Sequence, residues 1–260
     1  MSTFSIETWI PQQWNQVVGN EDLVEHFREI LRSMIAGDNK GLNTMILGPS
    51  RTGKTSTIKL FVQCLTCEAL DTQTFNPCCR CGHCTRNVAR LGEEGAFADL
   101  EFGNVHYIPF DCANADVSDV RDLVKRSCDY EGIRVIYLDE VHRLHRSNSH
   151  LEEMLLKVTE ETNSMWIASS VSAETLEKMF QKRFVHICTQ LPVNSDVLAI
   201  WLADRCQEWG ITCDRAETLL LLAQKANLVP GDALQVLARA YKKSPRILTE
   251  TLVQSHRFIT

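Results

Sequence analysis

The sequence predicts an α/β fold: a parallel sheet with crossover helices, a cysteine-rich knob inserted in it, and a small all-helical region behind it. Three observations carry this. Strand-length apolar runs alternate with helix-spaced stretches as far as Leu191, the pattern of a parallel sheet joined by helices. Cysteines crowd between residues 67 and 84. After Pro192 only helical periodicity remains.

The elements follow in order. Glu21 to Ala36 places Leu23, Val24, Phe27, Ile30, Leu31 and Met34 on one face of a helix. Residues 37–41 read as a loop, and Leu42 to Leu47 as a buried strand. A helix is expected from about Gly53 to Leu65. Pro77 and Gly82 make the cysteine stretch a non-regular knob, and a polar tract with Gly92, Gly95 and Gly103 follows. Val105–Phe110, Arg134–Leu138 and Met165–Ser169 are the next strands, separated by helices over Val117–Tyr130 and Ser147–Glu161. Behind the boundary at Leu191-Pro192 come helices near 194–209, 214–227 and 231–242 and one more near the C-terminus, with no convincing strand. The domain division is therefore 1–191 and 192–260, with no internal repeat or low-complexity tract.

The 260 residues suffice for one large domain or two modest ones, and 44 % hydrophobic content supplies a core. A net charge of −6 argues against a free-standing nucleic-acid binder, which is usually basic. Nucleic-acid contact would need a local basic patch or an assembly. Met1 to Ile6 has no basic start and no apolar core of a signal peptide, and the longest aliphatic run, Leu219 to Ala223, is too short to cross a bilayer. These features predict a reducing, cytoplasmic setting with no membrane partner. There the eleven cysteines point to metal more than to disulfides.

Gly48-Pro49-Ser50-Arg51-Thr52-Gly53-Lys54-Thr55 follows the first strand and opens a helix. This is the G-x4-G-K-T phosphate loop of a P-loop NTPase. Its glycines let the backbone wrap an anion, and its amides and the helix N-terminus point at phosphates. Lys54 can reach the β/γ-phosphates of ATP, and the Thr55 hydroxyl can ligate Mg²⁺. A chance match in a turn would lack the strand before it and the helix after it.

Leu138-Asp139-Glu140 closes an apolar strand. Ligands bind at strand ends of open parallel sheets. An aspartate there can hold Mg²⁺ through water, and the next glutamate can orient and deprotonate an attacking water. A solvated strand terminus is the plainer alternative, and the intact phosphate loop upstream argues against it.

Cys67-x10-Cys78-x2-Cys81-x2-Cys84 suits a closed, tetrahedral, structural Zn²⁺ site. Metal would hold this knob in place of a core. Iron–sulfur spacings differ from this one. Cys64, Cys79 and His83 are neighbouring competitors for ligation. Cys112, Cys128, Cys188, Cys206 and Cys213 are scattered and read as ordinary thiols.

Together these pieces resemble the AAA+ clamp-loader family, its bacterial DNA polymerase III gamma/tau branch most of all, over almost the whole chain. Trp9-Ile10-Pro11, Trp14 and Val17-Val18-Gly19-Asn20 look like the family's adenine-pocket segment. Gly48–Thr55, with Ser56 behind it, matches Walker A, and Leu138–His142 is similar to Walker B. The cysteines sit where that branch has its zinc module, and Phe110–Ala113 with Val117–Leu123 look like its mid-domain stretch. Ser170, on the Trp166–Ser170 strand, occupies the sensor 1 position. Lys182-Arg183-Phe184 lies where the family has Ser-Arg-Cys, so the resemblance implies that Arg183 acts in trans on a neighbouring subunit's ATP.

Three departures stand out. Ile10 replaces the arginine of the N-terminal pattern. Leu228–Leu234 matches the lid motif, but its sensor 2 arginine position is Gly231, with Arg239 about two turns further on. The helical collar has no counterpart in these residues. The resemblance implies a clamp-loader-like ATPase, binding ATP with Mg²⁺ and Zn²⁺, in a homo- or hetero-oligomer of AAA+ subunits that handles a sliding clamp and primed DNA. The alternative is a nucleotide-regulated scaffold that hydrolyses little and docks a partner. Lys125, Arg126, Arg143, Arg146, Lys242, Lys243 and Arg246 are candidate DNA contacts on the family inference alone.

Overall fold

The apolar runs become β1 (Thr44–Leu47), β3 (Val105–Asp111), β4 (Ile133–Asp139) and β5 (Met165–Ser170) in a computed structural model. Two edge strands complete the sheet, β2 (Leu100–Phe102) and β6 (His186–Thr189), in the order β2-β3-β4-β5-β1-β6. All pairings are parallel except β2 with β3. The structure describes residues 6, 9–38, 42–85, 99–127, 132–147, 149–174 and 176–258. Gly92, Gly95, Cys128 and the end of the helix expected to reach Tyr130 lie outside them.

Side chains alternate across the pleat, and both faces are covered, as parallel sheets require. Ile46, Tyr107, Val135, Tyr137 and Ile167 pack on one side with α1 (Glu21–Ile35) and α2 (Lys54–Leu65). Met45, Ile108, Phe110, Ile136, Leu138 and Trp166 pack on the other. Val120 and Leu123 of α3 (Val117–Ser127), Leu144 of α4 (His142–Ser147) and Leu155 of α5 (Ser149–Glu161) cover that side. Helix therefore begins at His142, earlier than the expected Ser147, directly after the acidic pair. The short α6 (Lys178–Gln181) leads into β6.

The C-terminal part is helical: α7 (Ser195–Trp209), α8 (Glu217–Lys225), α9 (Pro230–Tyr241) and α10 (Glu250–Ser255). Its boundaries have local causes. The Asn194 side chain accepts from the Asp196 amide at 2.8 Å and caps α7, which ends at Gly210 in the left-handed conformation, φ 63°. Pro230 opens α9, where a missing N–H costs nothing. Contrary to the expectation of no strand, β7 (Thr212–Cys213) and β8 (Ile247–Leu248) form a two-residue parallel ladder. Two residues are too few to show a period of 2.

These helices share a separate apolar cluster built on Leu198, Leu202, Leu222, Val236, Leu237 and Val253. Ile6 and Val18, far upstream, belong to it too, and Trp9 meets Trp201 and Trp209 edge to face. The N-terminal segment thus runs between the sheet and the helices. The Asn20 side chain holds the Leu191 backbone at both its N–H (2.8 Å) and its C=O (3.3 Å). Ile10, at the family's arginine position, is buried in the core beside the sheet. No helix among the described residues is long and apolar enough to cross a membrane.

Candidate functional site

Strands β4, β5, β1 and β6 run parallel, so their carboxyl ends open on one edge. Leu47 at the end of β1 stands level with Ser170 of β5 and Thr189 of β6. The phosphate loop leaves from there. Gly48 passes so close to the segment that follows β6 that a Cβ on it would lie 2.1 Å from the Gln190 carbonyl oxygen. Gln190 braces the loop from below as a donor: its amide donates to Leu47 O at 2.6 Å and its side chain to Thr52 O at 2.7 Å. Gly48→Ala should therefore displace the loop and cost about 1–3 kcal/mol, read as a lower Tm together with weaker nucleotide binding; an unchanged Tm would contradict this packing.

Lys54 is buried, and its Nζ donates to the carbonyls of Gly48 and Pro49 at 2.7 Å each. Burial lowers its pKa, while the nearby Asp139 and Glu140 push it back up. Thr55 Oγ1 lies 3.1 Å from the Tyr137 hydroxyl, and that hydroxyl donates to Asp139 Oδ1 at 2.7 Å. Ser169 Oγ donates to the same Oδ1 at 2.7 Å. The two expected Mg²⁺ holders are thus joined through one buried phenol, whose pKa burial raises far above its usual value. Tyr137 was not singled out by motif, although a residue two before Asp139 on a strand shares its face. Ser169 was also missed. It holds Asp139 and accepts the Glu140 amide at 3.1 Å, whereas the expected Ser170 donates to Ser172 O at 2.8 Å.

Glu140 turns the chain out of β4 in the left-handed conformation, φ 51°, a costly position for a residue with a side chain and a recurrent one at functional sites. Its carboxylate meets Arg143 Nε at 3.3 Å on the surface.

These groups border a cleft of ≈ 820 Å³. The loop contributes Ser50 to Ser56, the sheet edge Asp139, Glu140, Ser169 and Ser170, and the N-terminal segment Trp9, Gln16, Val17 and Val18. Gly48 and Pro49 are not among its lining residues. The helical part closes the far side with Trp201, Gly231, Gln235, Arg239 and His256. Arg239 therefore faces the same space as the loop. Arg51, unexpectedly, reaches across to α9 and pairs with Asp232 at 2.9 Å.

Arg183 is not among the cleft's lining residues; it pairs with Glu160. Lys125 pairs with Asp122 (3.1 Å), Arg126 with Asp99 (2.7 Å), and Arg246 lies over the Tyr241 ring at 3.8 Å. The side chain of Arg146 lies outside the described residues.

The sulfurs of Cys67, Cys78, Cys81 and Cys84 lie within 4.8 Å of one another. Backbone amides of Cys78, Cys81 and Cys84 donate to the sulfurs of Cys67, Cys78 and Cys81 at 3.2–3.4 Å. Amides of Arg80 and Cys81 pull the Cys78 thiol down to about 6. A four-thiol set with amide donors fits a thiophilic cation such as Zn²⁺. The competitors lie elsewhere: Cys64 is buried with its thiol pushed up by burial, Cys79 is exposed, and His83 bonds to Thr66 O at 2.9 Å. The knob is not held by sulfur alone, because Phe75 is buried in the main core.

A model of the ATPase family associated with various cellular activities (AAA) matches residues 44–190, from the first strand through Gln190. The chain belongs to the AAA family. AAA proteins are P-loop NTPases that bind ATP, generally hydrolyse it and typically assemble into oligomers. The chain is also similar to DNA polymerase III subunit tau of Bacillus subtilis (strain 168), 28 % identical over 138 residues, which are 52 % of this chain and 21 % of that protein. It thus spans about a fifth of that relative's length. Among solved structures, the Thermotoga maritima RuvB Holliday junction branch migration motor superposes with a TM-score of 0.63 at 13 % identity, covering 94 % of this chain and 70 % of that one. A threonine-to-valine variant of that motor gives 0.64 at 14 % identity, with the same coverage of 94 % and 70 %. At these identities the structures speak for the AAA fold alone.

Proposed function

We propose that this AAA protein binds Mg²⁺·ATP in the cleft and hydrolyses it to ADP and phosphate, within an oligomer of AAA+ subunits that places a sliding clamp on primed DNA. The observation that carries the ATPase part is the convergence of Lys54, Thr55, Asp139 and Glu140 on one cleft edge. The similarity to DNA polymerase III subunit tau supports the clamp-loading part.

In this reading residues 192–260 form a lid over the nucleotide-binding domain 1–191, and Val17 and Val18 frame the base. The amides from Ser50 to Ser56 hold phosphate oxygens, as helix N-termini do. Lys54 exchanges its two carbonyl partners for the β/γ-phosphates. Thr55 and Asp139 hold Mg²⁺, which when bound neutralises phosphate charge. Tyr137 and Ser169 hold Asp139 in place by donating to its Oδ1. Glu140 orients the attacking water and takes its proton, and Ser170 contacts the terminal phosphate. Arg183 leaves Glu160 to enter a neighbouring subunit's cleft. Zn²⁺ in the Cys67, Cys78, Cys81 and Cys84 cluster is structural.

The test is phosphate release by the assembled protein with Mg²⁺, primed DNA and a sliding clamp. Lys54→Ala should reduce kcat/KM by at least about a hundredfold, the scale of losing a charge-stabilising contact. Background turnover in the unmutated assembly would overturn the ATPase reading. A nucleotide-regulated scaffold is the second reading. It is favoured by the lack of an arginine at position 231. Tight ATP binding with negligible turnover and a stable partner complex would select it.

A further inference from the structure

Arg51 sits at the fourth place of the phosphate loop with φ 64°, a backbone conformation that favours glycine. Something must hold a side chain there, and the side chain's contacts all lie on one element. Its Nε meets Asp232 Oδ1 at 2.9 Å and one terminal nitrogen donates to Gly231 O at 2.9 Å. The Gln235 carboxamide, turned so that both groups are satisfied, accepts from the two terminal nitrogens at 2.6 and 2.8 Å. In return, the Gly231 amide donates to Arg51 O at 3.1 Å. One loop residue is thus fastened to the first two turns of α9 by its backbone and by every nitrogen of its guanidinium.

Position 231 is part of the same device. A Cβ there would lie 2.7 Å from Arg51 O and 2.9 Å from Arg51 Cβ. No side chain fits while the loop and α9 are in contact. The arginine in the loop and the glycine in the lid are therefore one arrangement, not two unrelated departures. Asp232 is partly desolvated, which raises its pKa, and the charge of Arg51 opposes that shift.

We propose that Arg51 is a positioning residue that latches the lid onto the phosphate loop, through Gly231, Asp232 and Gln235, in place of an arginine reaching down from position 231. The coupling to nucleotide rests on the cleft being the ATP site; the latch itself does not. The usual arrangement needs bound phosphates to tie lid to loop. Here the tie is direct, so α9 is held over the loop before nucleotide enters, and any loop movement on phosphate binding is passed to α9 through a planar fork of hydrogen bonds. Coupling of this kind works in both directions.

The test is amide hydrogen exchange on the full chain without nucleotide, followed by ATP titration. Arg51→Gly keeps the loop's backbone conformation accessible and removes the side-chain contacts of the latch; exchange in the first turns of α9 should rise roughly tenfold or more while the central strands stay protected. Asp232→Asn should give a smaller rise at the same amides. Gly231→Ala is the sharper variant. It leaves every polar group in place and improves helix propensity, so a merely local helix effect would slow exchange there; the latch requires it to quicken. In steady-state assays Arg51→Gly should raise KM for ATP more than it lowers kcat. Unchanged α9 exchange in Arg51→Gly, or slower exchange in Gly231→Ala, would overturn the latch. Faster α9 exchange in a protein that shows no ATP turnover would keep the latch and remove the ATPase reading.

Discussion

Glu140→Gln is expected to trap ATP: binding persists while kcat falls by at least about a hundredfold, the usual span of losing a positioned general base. The reasoning starts from the backbone. Glu140 leaves β4 at φ 51°, and its amide is held by Ser169 Oγ at 3.1 Å. The carboxyl group is therefore set at the sheet edge by main-chain geometry, independent of its own charge. Glutamine keeps the size and loses only the basic oxygen. The groups that bind phosphate and metal, Lys54, Thr55 and Asp139, are held by other contacts: the Gly48 and Pro49 carbonyls and the Tyr137 hydroxyl. Binding and chemistry should thus separate. Nucleotide affinity by calorimetry and phosphate release by a coupled assay read the two quantities. Loss of both together would mean that Glu140 shapes the site, and retention of turnover would move the base elsewhere. The Arg143 contact at 3.3 Å adds a second expectation: this surface pair must part when the Glu140 carboxylate turns onto the attacking water. Such pairs contribute little, about 0–1 kcal/mol, so opening is no obstacle to turnover.

Much of this arrangement was legible because its signals are local. The phosphate loop is a contiguous pattern between a strand and a helix, and the acidic pair closes a strand with an apolar run from Val135 to Leu138. Helices α1, α7 and α9 carry broad apolar faces, and the structure begins and ends them within a few residues of the expectation. The features that escaped depend on contacts distant in sequence or on weak periodicity. Strand β6 is an edge with Ile187 exposed, so its four residues show no buried run. Strand β2 has only three residues. The Arg51 contact spans 180 positions, and nothing near either end announces it. Ser169 and Ser170 are neighbours with opposite facing. Which one meets Asp139 is decided by the register of β5 against β4, and a sequence motif does not carry that register. The knob differs for another reason: its cysteine spacing announced the cluster, but its anchoring through Phe75 reads in sequence as one aromatic among polar residues.

That anchoring sets the scale of the second large effect. We expect about one equivalent of zinc per chain, lost on Cys78→Ser or Cys84→Ser. A tetrahedral Zn²⁺ with bonds of about 2.3 Å needs sulfurs about 3.8 Å apart. The Cys78 and Cys84 sulfurs stand at 4.0 Å, and all four lie within 4.8 Å, so the ion can enter with little backbone movement. Without it four thiolates cannot share so small a space, and they must protonate or separate. Separation would not stay local. The Phe75 carbonyl accepts from buried Trp14 Nε1 at 2.7 Å, and Asn76 Oδ1 accepts from the Trp14 amide at 2.9 Å. Trp14 in turn stacks on Phe27, whose ring meets Phe61 of α2. Metal loss should therefore lower Tm by roughly 5–10 °C, about 2–3 kcal/mol for a domain of this size, and shift tryptophan emission to the red. Cys79→Ser is the control: its thiol is exposed and outside the cluster, so zinc content and Tm should hold. Metal analysis, melting and emission spectra on the three variants decide the matter. Visible absorption from bound iron would replace zinc by a cluster, and a metal-free protein that melts like the unmutated chain would show that Phe75 and the core hold the knob unaided.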